Sequence, residues 1–308
     1  MTTRVRPNRV RPIVPRPAHI EKQVVPTETR VAKKFTPAGP RPFLKWAGGK
    51  GKLLDQIVPH LPKSYGRYFE SFTGGAALFW HLTPERAVLS DANDRLVNTY
   101  QILRDESEPL IAQLSEWRYD LGSFVAIRDG FNSGDMGPIW MAAAFLYLNK
   151  CGFNGLYRVN GSGQFNVPFG RYVNPTICDA ENLRSCSDAL QGVPIVCADY
   201  DSVLSSTERP MPGDLVYLDP PYVPEPRKAS FVGYVAGGFG DEEQQRLASR
   251  FRELADRGVY VLASNSASPR VRELYAGFRM IELTRSGTMN SDPTKRGKVP
   301  ELLILGWS

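Results

Sequence analysis

The stretch Tyr68-Phe69-Glu70-Ser71-Phe72-Thr73-Gly74-Gly75-Ala76-Ala77-Leu78-Phe79-Trp80 reads as a short apolar strand, a glycine-rich turn and a helix that opens with small residues. Such a turn lets a ligand approach backbone N–H groups closely. Downstream, Ala87-Val88-Leu89-Ser90-Asp91 is a second strand ending in an acid. Nucleotide-binding sheets place at that point the carboxylate that holds ribose hydroxyls. Strand, glycine turn, helix, strand and acid, in that order, point to a nucleoside-containing cofactor. The same residues would also build a purely structural Rossmann turn.

A second segment carries the chemistry. Val216-Tyr217-Leu218-Asp219-Pro220-Pro221-Tyr222 runs an apolar strand into an acid, two prolines and an aromatic. Proline lacks an N–H and fixes φ, so the chain leaves the sheet in a stiff, extended turn that bares the Pro220 carbonyl beside the Asp219 carboxylate. Two acceptors then face one amino group, and Tyr222 offers a ring on which a base withdrawn from a duplex can stack. The alternative is a strand end with an ordinary Pro-Pro turn.

Around these segments the pattern alternates. Strands are expected at Tyr68 to Ser71, Ala87 to Ser90, Ile195 to Ala198, Asp214 to Leu218, Val259 to Ser264, Arg279 to Thr284 and Glu301 to Leu305. Helical patterns fall between them, the clearest from Asp241 to Arg257, with Asp241 as its cap and Gln244 completing a capping box. The expected fold class is α/β, with a mostly parallel sheet covered on both faces. An interruption from Asp94 to about Gln191, with amphipathic stretches Arg95 to Ile111 and Trp140 to Lys150, reads as an inserted helical lobe.

The composition leaves room for this reading. With 308 residues, 42 % of them apolar, the chain can bury one substantial α/β core plus an insert. No stretch approaches a membrane span and the N-terminus lacks a secretory h-region, so a soluble, intracellular protein is expected. Cys151, Cys178, Cys186 and Cys197 have no C-x-x-C spacing and His19, His60 and His81 do not cluster, so neither metal nor a disulfide frame is expected. The net charge of +6 is unevenly placed: residues 1–40 hold nine Lys/Arg against two Glu, which is +7, leaving −1 for the rest. Those forty residues, with seven prolines and almost no periodicity, read as a disordered basic arm. Such an arm either adds sequence-independent phosphate attraction or is a solvated tail.

Three further segments match one family in order. Pro42-Phe43-Leu44-Lys45-Trp46-Ala47-Gly48-Gly49-Lys50, then Leu146-Tyr147-Leu148-Asn149 to Phe165-Asn166-Val167-Pro168-Phe169-Gly170-Arg171-Tyr172, then Gly297-Lys298-Val299-Pro300-Glu301-Leu302-Leu303-Ile304 complete a set that resembles the Dam family of DNA adenine methyltransferases. The resemblance spans roughly residues 41 to 306. It implies a Rossmann-like class I methyltransferase with a catalytic domain at 41–93 and 191–308 and an inserted target-recognition domain at 94–190. The implied cofactor is S-adenosylmethionine, held by Trp46, Lys50, Glu70, Phe72, Gly74, Gly75, Asp91, Asp199, Tyr200 and Asp219. The implied partner is double-stranded DNA, usually at GATC, contacted by Lys45, Asn154, Leu156, Arg158, Pro168, Arg171 and Tyr172. Arg and Asn are also the residue types that read guanine and adenine edges with paired hydrogen bonds. A monomer, or a weak self-associator on DNA, is expected.

The implied chemistry is carried by Asp219, Pro220, Pro221 and Tyr222. Methyl transfer from a sulfonium needs no metal; the difficulty is an exocyclic amine whose lone pair is delocalised. Acceptors on its hydrogens turn the lone pair toward the methyl group and stabilise the charge that builds on nitrogen. Two other readings use the same scaffold: methylation of cytosine N4 or RNA, and a silent DNA-binding module. The chain also departs from the family pattern. Ser71 and Ala76 stand where Pro and a third Gly are usual, and Ser264-Asn265-Ser266-Ala267-Ser268 lacks the usual His-Asp. Pro224 to Pro226 and Gly233 to Gly240 are expected to be mobile until DNA binds.

Overall fold

The computed structural model describes residues 39–222, 239–286 and 298–307. Nearly all of the basic arm, Pro224 to Pro226 and most of the stretch Gly233 to Gly240 lie outside the described residues.

Seven strands form one sheet in the order β3-β2-β1-β4-β5-β7-β6. They are β1 (Tyr68–Glu70), β2 (Ala87–Asp91), β3 (Ile195–Cys197), β4 (Leu215–Leu218), β5 (Tyr260–Ser266), β6 (Arg279–Ser286) and β7 (Lys298–Leu305). The first five pair in parallel, and β7 runs antiparallel to both its neighbours. All seven strands expected from the sequence are present, with ends shifted by one to three residues.

The central strands are apolar on both faces because both faces are covered. Every residue of β4 is buried. Alternate residues point to opposite sides. Tyr68, Leu215 and Tyr217 enter one apolar cluster, whereas Phe69, Val216 and Leu218 enter another. The first cluster also contains residues of α2 (Ala77–Leu82), α3 (Asp94–Asp105), α4 (Ser107–Ser115), α5 (Leu121–Ser133), α6 (Pro138–Cys151) and α7 (Ala180–Leu190), with a single turn α1 (Leu54–Ile57) at its margin. The helices of the insert therefore share their core with the sheet. The second cluster is built with α8 (Tyr200–Leu204), α9 (Asp241–Asp256) and α10 (Pro269–Leu274).

Two helix readings are corrected. The stretch Arg95 to Ile111 is not one helix: the chain leaves helical geometry at Glu106 (φ −136°, ψ 43°), separating α3 from α4. Asn93 starts α3 by accepting the Leu96 N–H at 3.0 Å. In α9 Asp241 is the first helical residue and not the cap, which is Gly240 with no side-chain bond. The Asp241 carboxylate instead holds Arg270 and Gln245, and Gln244, displaced by one position from a capping box, turns inward.

Parallel pairing brings the carboxyl ends of β3, β2, β1 and β4 to one edge. Glu70 ends β1, Asp91 ends β2, and Asp199 and Asp219 follow β3 and β4.

Candidate active site

Asp219 is fixed by a residue far away in sequence. Lys50, only 2 % exposed and at the start of a short 3-10 turn, places Nζ 2.6 Å and 2.7 Å from the two Asp219 oxygens and donates to the Gly48 carbonyl at 2.8 Å. The same ammonium lies 4.8 Å from the centre of the Tyr222 ring and 3.9 Å from Glu301. The Tyr222 hydroxyl donates to Glu301 Oε2 at 2.6 Å. Burial, then the charges of Asp219 and Glu301, push that phenol well above its ordinary range. Lys50, grouped by its motif with the cofactor residues, thus sits on the Asp219 carboxylate.

The acids on the neighbouring strands are not equivalent. Glu70 is buried and accepts the Tyr68 hydroxyl at 2.8 Å. Burial, with the nearby Asp219 charge adding to it, pushes Glu70 up to about 8, although the Tyr68 bond works the other way. The folded protein therefore keeps the Glu70 proton between the ordinary value of 4.5 and about 8, whereas the unfolded chain has lost it. Stability from this group is complete below the lower value and is lost as pH rises toward the upper one. Glu70→Gln, which has no such proton to lose, should gain in Tm relative to the parent between about pH 5 and about pH 8.5. A difference in Tm that stays constant across that range would refute the assignment.

Asp91 accepts the N–H groups of Gly74 and Asn93, both at 3.0 Å, while burial raises its carboxyl above the ordinary value. The glycine turn it meets is held from behind, with Tyr100 donating to the Gly74 carbonyl at 3.0 Å and Trp80 to the Gly75 carbonyl at 3.1 Å. Gly74 is left-handed at φ +46°, and so is Ala76 at φ 48°, where a side chain costs about 1–2 kcal/mol. A Cβ on Gly74 would stand 2.6 Å from Trp46 Cδ1, and one on Gly75 would stand 3.1 Å from Trp46 Cβ. Trp46 itself lies nearly parallel to Phe145 and Tyr157 at centroid distances of 6.2 Å and 5.9 Å, and those two rings meet each other at 5.1 Å. Gly74, Gly75, Trp46 and Asp91 are thus one assembly.

At the far side Phe72 stacks on Tyr200 at 5.4 Å, with Phe239 edge-on to both. Among the described residues the buried Tyr200 hydroxyl has no hydrogen-bond partner. Asp199 is engaged as the cap of α8, accepting from the amides of Asp201 and Ser202 and the Ser202 hydroxyl. Burial opposes its ionisation, yet those bonds hold it below the usual carboxylate range.

Of the residues expected to contact DNA, Lys45 is joined through Asn149 to the loop that carries Asn154 and Leu156. The buried Asn149 amide accepts the Lys45 N–H at 2.9 Å and donates to the carbonyls of Lys45 and Gly155 at 2.7 Å and 2.9 Å, tying the N-terminal motif to the loop after α6. The Lys45 ammonium lies 4.5 Å from the centre of the Tyr172 ring, whose hydroxyl donates to the Gly152 carbonyl at 2.9 Å. Asn154 is exposed and left-handed at φ 55°, beside Phe153, which is half exposed at the loop tip. Leu156 is half-buried against the core, and the Pro168 carbonyl accepts the Phe153 N–H at 2.9 Å. Arg158 is exposed, its guanidinium held by the Asn166 side chain at 2.7 Å and carbonyl at 3.1 Å, and Arg171 is exposed. All of the residues expected to contact DNA but Lys45, which lies on the N-terminal motif, are on the loops after α6.

Glu301, Tyr68, Asn149 and Gln244 gave no sequence reading of a role in the site. Glu301 had a usable signal, since it is an acid followed by four apolar residues in a strand, and a buried acid needs partners. Among the described residues no group of His, Cys, Asp and Glu is placed to hold a metal ion, and no helix is long and apolar enough to cross a membrane.

The family model of the D12 class N6 adenine-specific DNA methyltransferases matches residues 46–289. Among similar proteins, a type II methyltransferase, M1.LlaDCHI of Lactococcus lactis subsp. cremoris, is 39 % identical over 277 residues, covering 87 % of this chain and 95 % of the relative. The type II methyltransferase M.MjaIII of Methanocaldococcus jannaschii is 36 % identical, covering 87 % and 99 %. A DNA adenine methylase of Escherichia coli K12 is 36 % identical, covering 86 % and 95 %. The strand-end acids, the Asp-Pro-Pro-Tyr turn and a match over most of the chain agree, and the chain belongs to the D12 class of N6 adenine-specific DNA methyltransferases.

Proposed function

We propose that the protein methylates N6 of adenine within GATC in duplex DNA, using S-adenosylmethionine as donor and drawing the adenine out of the stack into the pocket of Asp219 and Tyr222. The observation that carries this reading is the Asp219 carboxylate at the end of β4, held on both oxygens by a buried lysine and standing beside the Tyr222 ring.

The residues suit the donor. A nucleoside sulfonium offers a flat base and ribose hydroxyls, and the site offers the Phe72 and Tyr200 rings, a Tyr200 hydroxyl with no partner among the described residues and the Asp91 carboxylate. Gly74, Gly75 and Trp46 form the close wall, and Glu70 stands at the strand end between Asp91 and Asp219. When bound, S-adenosylmethionine supplies an electrophilic methyl group on positively charged sulfur.

Lys50 aims Asp219 by donating to both of its oxygens. A carboxylate has about four lone-pair sites, so Asp219 can still accept from the amino group of adenine. Asp219, with the Pro220 carbonyl, orients the nitrogen lone pair and stabilises the positive charge that develops there. Pro221 stiffens the turn and Tyr222 stacks on the base. Lys45 of the N-terminal motif, with Asn154, Leu156, Arg158, Pro168, Arg171 and Tyr172 of the insert, 94–190, forms the reading and anchoring surface, and the protein acts as a monomer without a metal ion.

Incubating the protein with tritium-labelled donor and a randomised duplex library, then sequencing the modified bases, tests the reading. Label confined to adenine in GATC is expected; label on cytosine, at another motif or absent would overturn it. Gly74→Ala should weaken donor binding by about tenfold or more, since a methyl group at that φ also meets an indole stacked on two rings. Isothermal titration with the donor checks this, and unchanged affinity would remove the turn from the donor site.

A further inference from the structure

The turn that carries Asp219 is poor in means of holding itself. Pro220 and Pro221 bring no N–H groups, so neither can donate to the sheet or to a neighbouring loop. The turn is tied instead by a side chain from another element. Gln244, 1 % exposed in the first turns of α9, donates through Nε2 to the Pro221 carbonyl at 2.8 Å. Its Oε1 accepts from Asn265 Nδ2 at 3.0 Å, and Asn265, also 1 % exposed, accepts the Ser266 N–H at 2.8 Å. Donors and acceptors thus run in one direction, from a backbone amide of β5 through two side-chain amides to the carbonyl joined to Tyr222.

A carboxamide donates and accepts at once at any pH, which an ionised carboxylate of the same shape cannot do. The Pro221 carbonyl belongs to the peptide plane that starts Tyr222, so fixing it fixes where the Tyr222 ring begins. The other end of that ring is held by the bond from its hydroxyl to Glu301. Glu301 pairs with Ser266 across β5 and β7, so both tethers are rooted in the same pair of strands.

We infer that Gln244 is a positioning residue of the methyl-transfer reaction, and that with Asn265 it sets the angle of the Tyr222 ring and the adjoining carbonyls toward the target base. This rests on the proposed role of the Asp219 and Tyr222 pocket. Gln244 touches neither substrate nor donor, so its removal should lower the rate of the chemical step while leaving the affinities for donor and duplex in place.

The test uses Gln244→Leu and Gln244→Glu in the full-length protein, with single-turnover methylation of a duplex, donor affinity and duplex affinity read separately. Gln244→Leu should lose about tenfold or more in single-turnover rate with both affinities near those of the parent, because small misplacements of reacting groups are costly. Gln244→Glu supplies the readout that a structural role would not move. Its carboxylate accepts from Asn265 but cannot donate to Pro221, whereas its protonated form can do both. Burial raises a carboxyl pKa, so the rate of the variant relative to the parent should rise as pH is lowered from about 8.5 to about 6. Lys50, Glu70, Asp219, Tyr222 and Glu301 are common to both proteins, so the ratio isolates position 244.

Parent-like rates in Gln244→Leu, or a flat ratio across pH, would overturn the inference. A Gln244→Glu protein unfolded at every pH, seen by thermal melting, would also overturn it, by making the residue part of the fold alone. The parent and Asp219→Ala are run alongside. A parent that does not methylate, or an Asp219→Ala variant that does, would sink the proposed function, whereas a flat ratio with a normal parent sinks this inference only.

Discussion

Asp219→Ala is expected to lower turnover by at least about a hundredfold while duplex binding changes by less than about twofold. The loss follows from what the carboxylate does and when. It meets the amino group most strongly as positive charge builds on nitrogen, so its removal raises the barrier more than it weakens the ground state. In the resting protein this carboxylate also holds Lys50, whose ammonium in the variant would lose that partner, with Glu301 at 3.9 Å and Glu70 among the acids still near it. Breaking a buried pair by removing one partner commonly costs a fold about 3–5 kcal/mol, so thermal melting belongs beside the kinetics. Single-turnover transfer of labelled methyl and filter binding of the duplex separate the two effects. Near-normal transfer by a folded Asp219→Ala protein would take the carboxylate out of the mechanism.

The second large effect is one of choice between sequences. Arg158→Ala should cost about 1–3 kcal/mol of discrimination at one base pair of the target, leaving the remaining positions read as before. The guanidinium is exposed but not loose, since Asn166 holds it by side chain and carbonyl, and an oriented fork suits the paired acceptors on a guanine edge. Lys45→Ala should relax a different position, because it sits across Asn149 on the N-terminal motif, beside Tyr172. Profiling on a randomised duplex library reads both. If Arg158→Ala weakened methylation of every sequence in proportion, the residue would be a phosphate anchor and the GATC reading would lose its main support.

The five parallel strands were legible because they are short apolar runs with a polar end, a pattern that parallel strands buried on both faces write plainly. The order of the strands in the sheet, which lines up the acids and sets β7 between β5 and β6, is not written in the alternation of strand and helix. The apolar spacing of α3 continues in phase into α4, which hides the break at Glu106, but Pro109 announces it, since a proline is tolerated in the first turn of a helix and not in its interior. The site was legible in its parts and not in its joins. Asp219 and Tyr222 stand out within one turn, but Lys50 lies 169 residues before its carboxylate, and periodicity carries no information about such pairs. Gln244 shows the opposite failure. A glutamine three places after an acid at a helix start has a ready local explanation, and a shift of one residue in the helix start turned it from that role to the Pro221 carbonyl.

The place of β7 in the sheet has a consequence for how the molecule is made. It is the final strand in the chain, yet it is inserted between β5 and β6 and supplies the glutamate that holds the Tyr222 hydroxyl. During synthesis β5 must wait with one side of its hydrogen-bonding groups unpaired, an open edge of the kind on which chains aggregate. A ribosome that stalls before residue 301 releases a product with the aspartate and the tyrosine in sequence but no mount for the ring. Truncated chains of this protein should therefore be found in the insoluble fraction of a cell and not among its active enzymes.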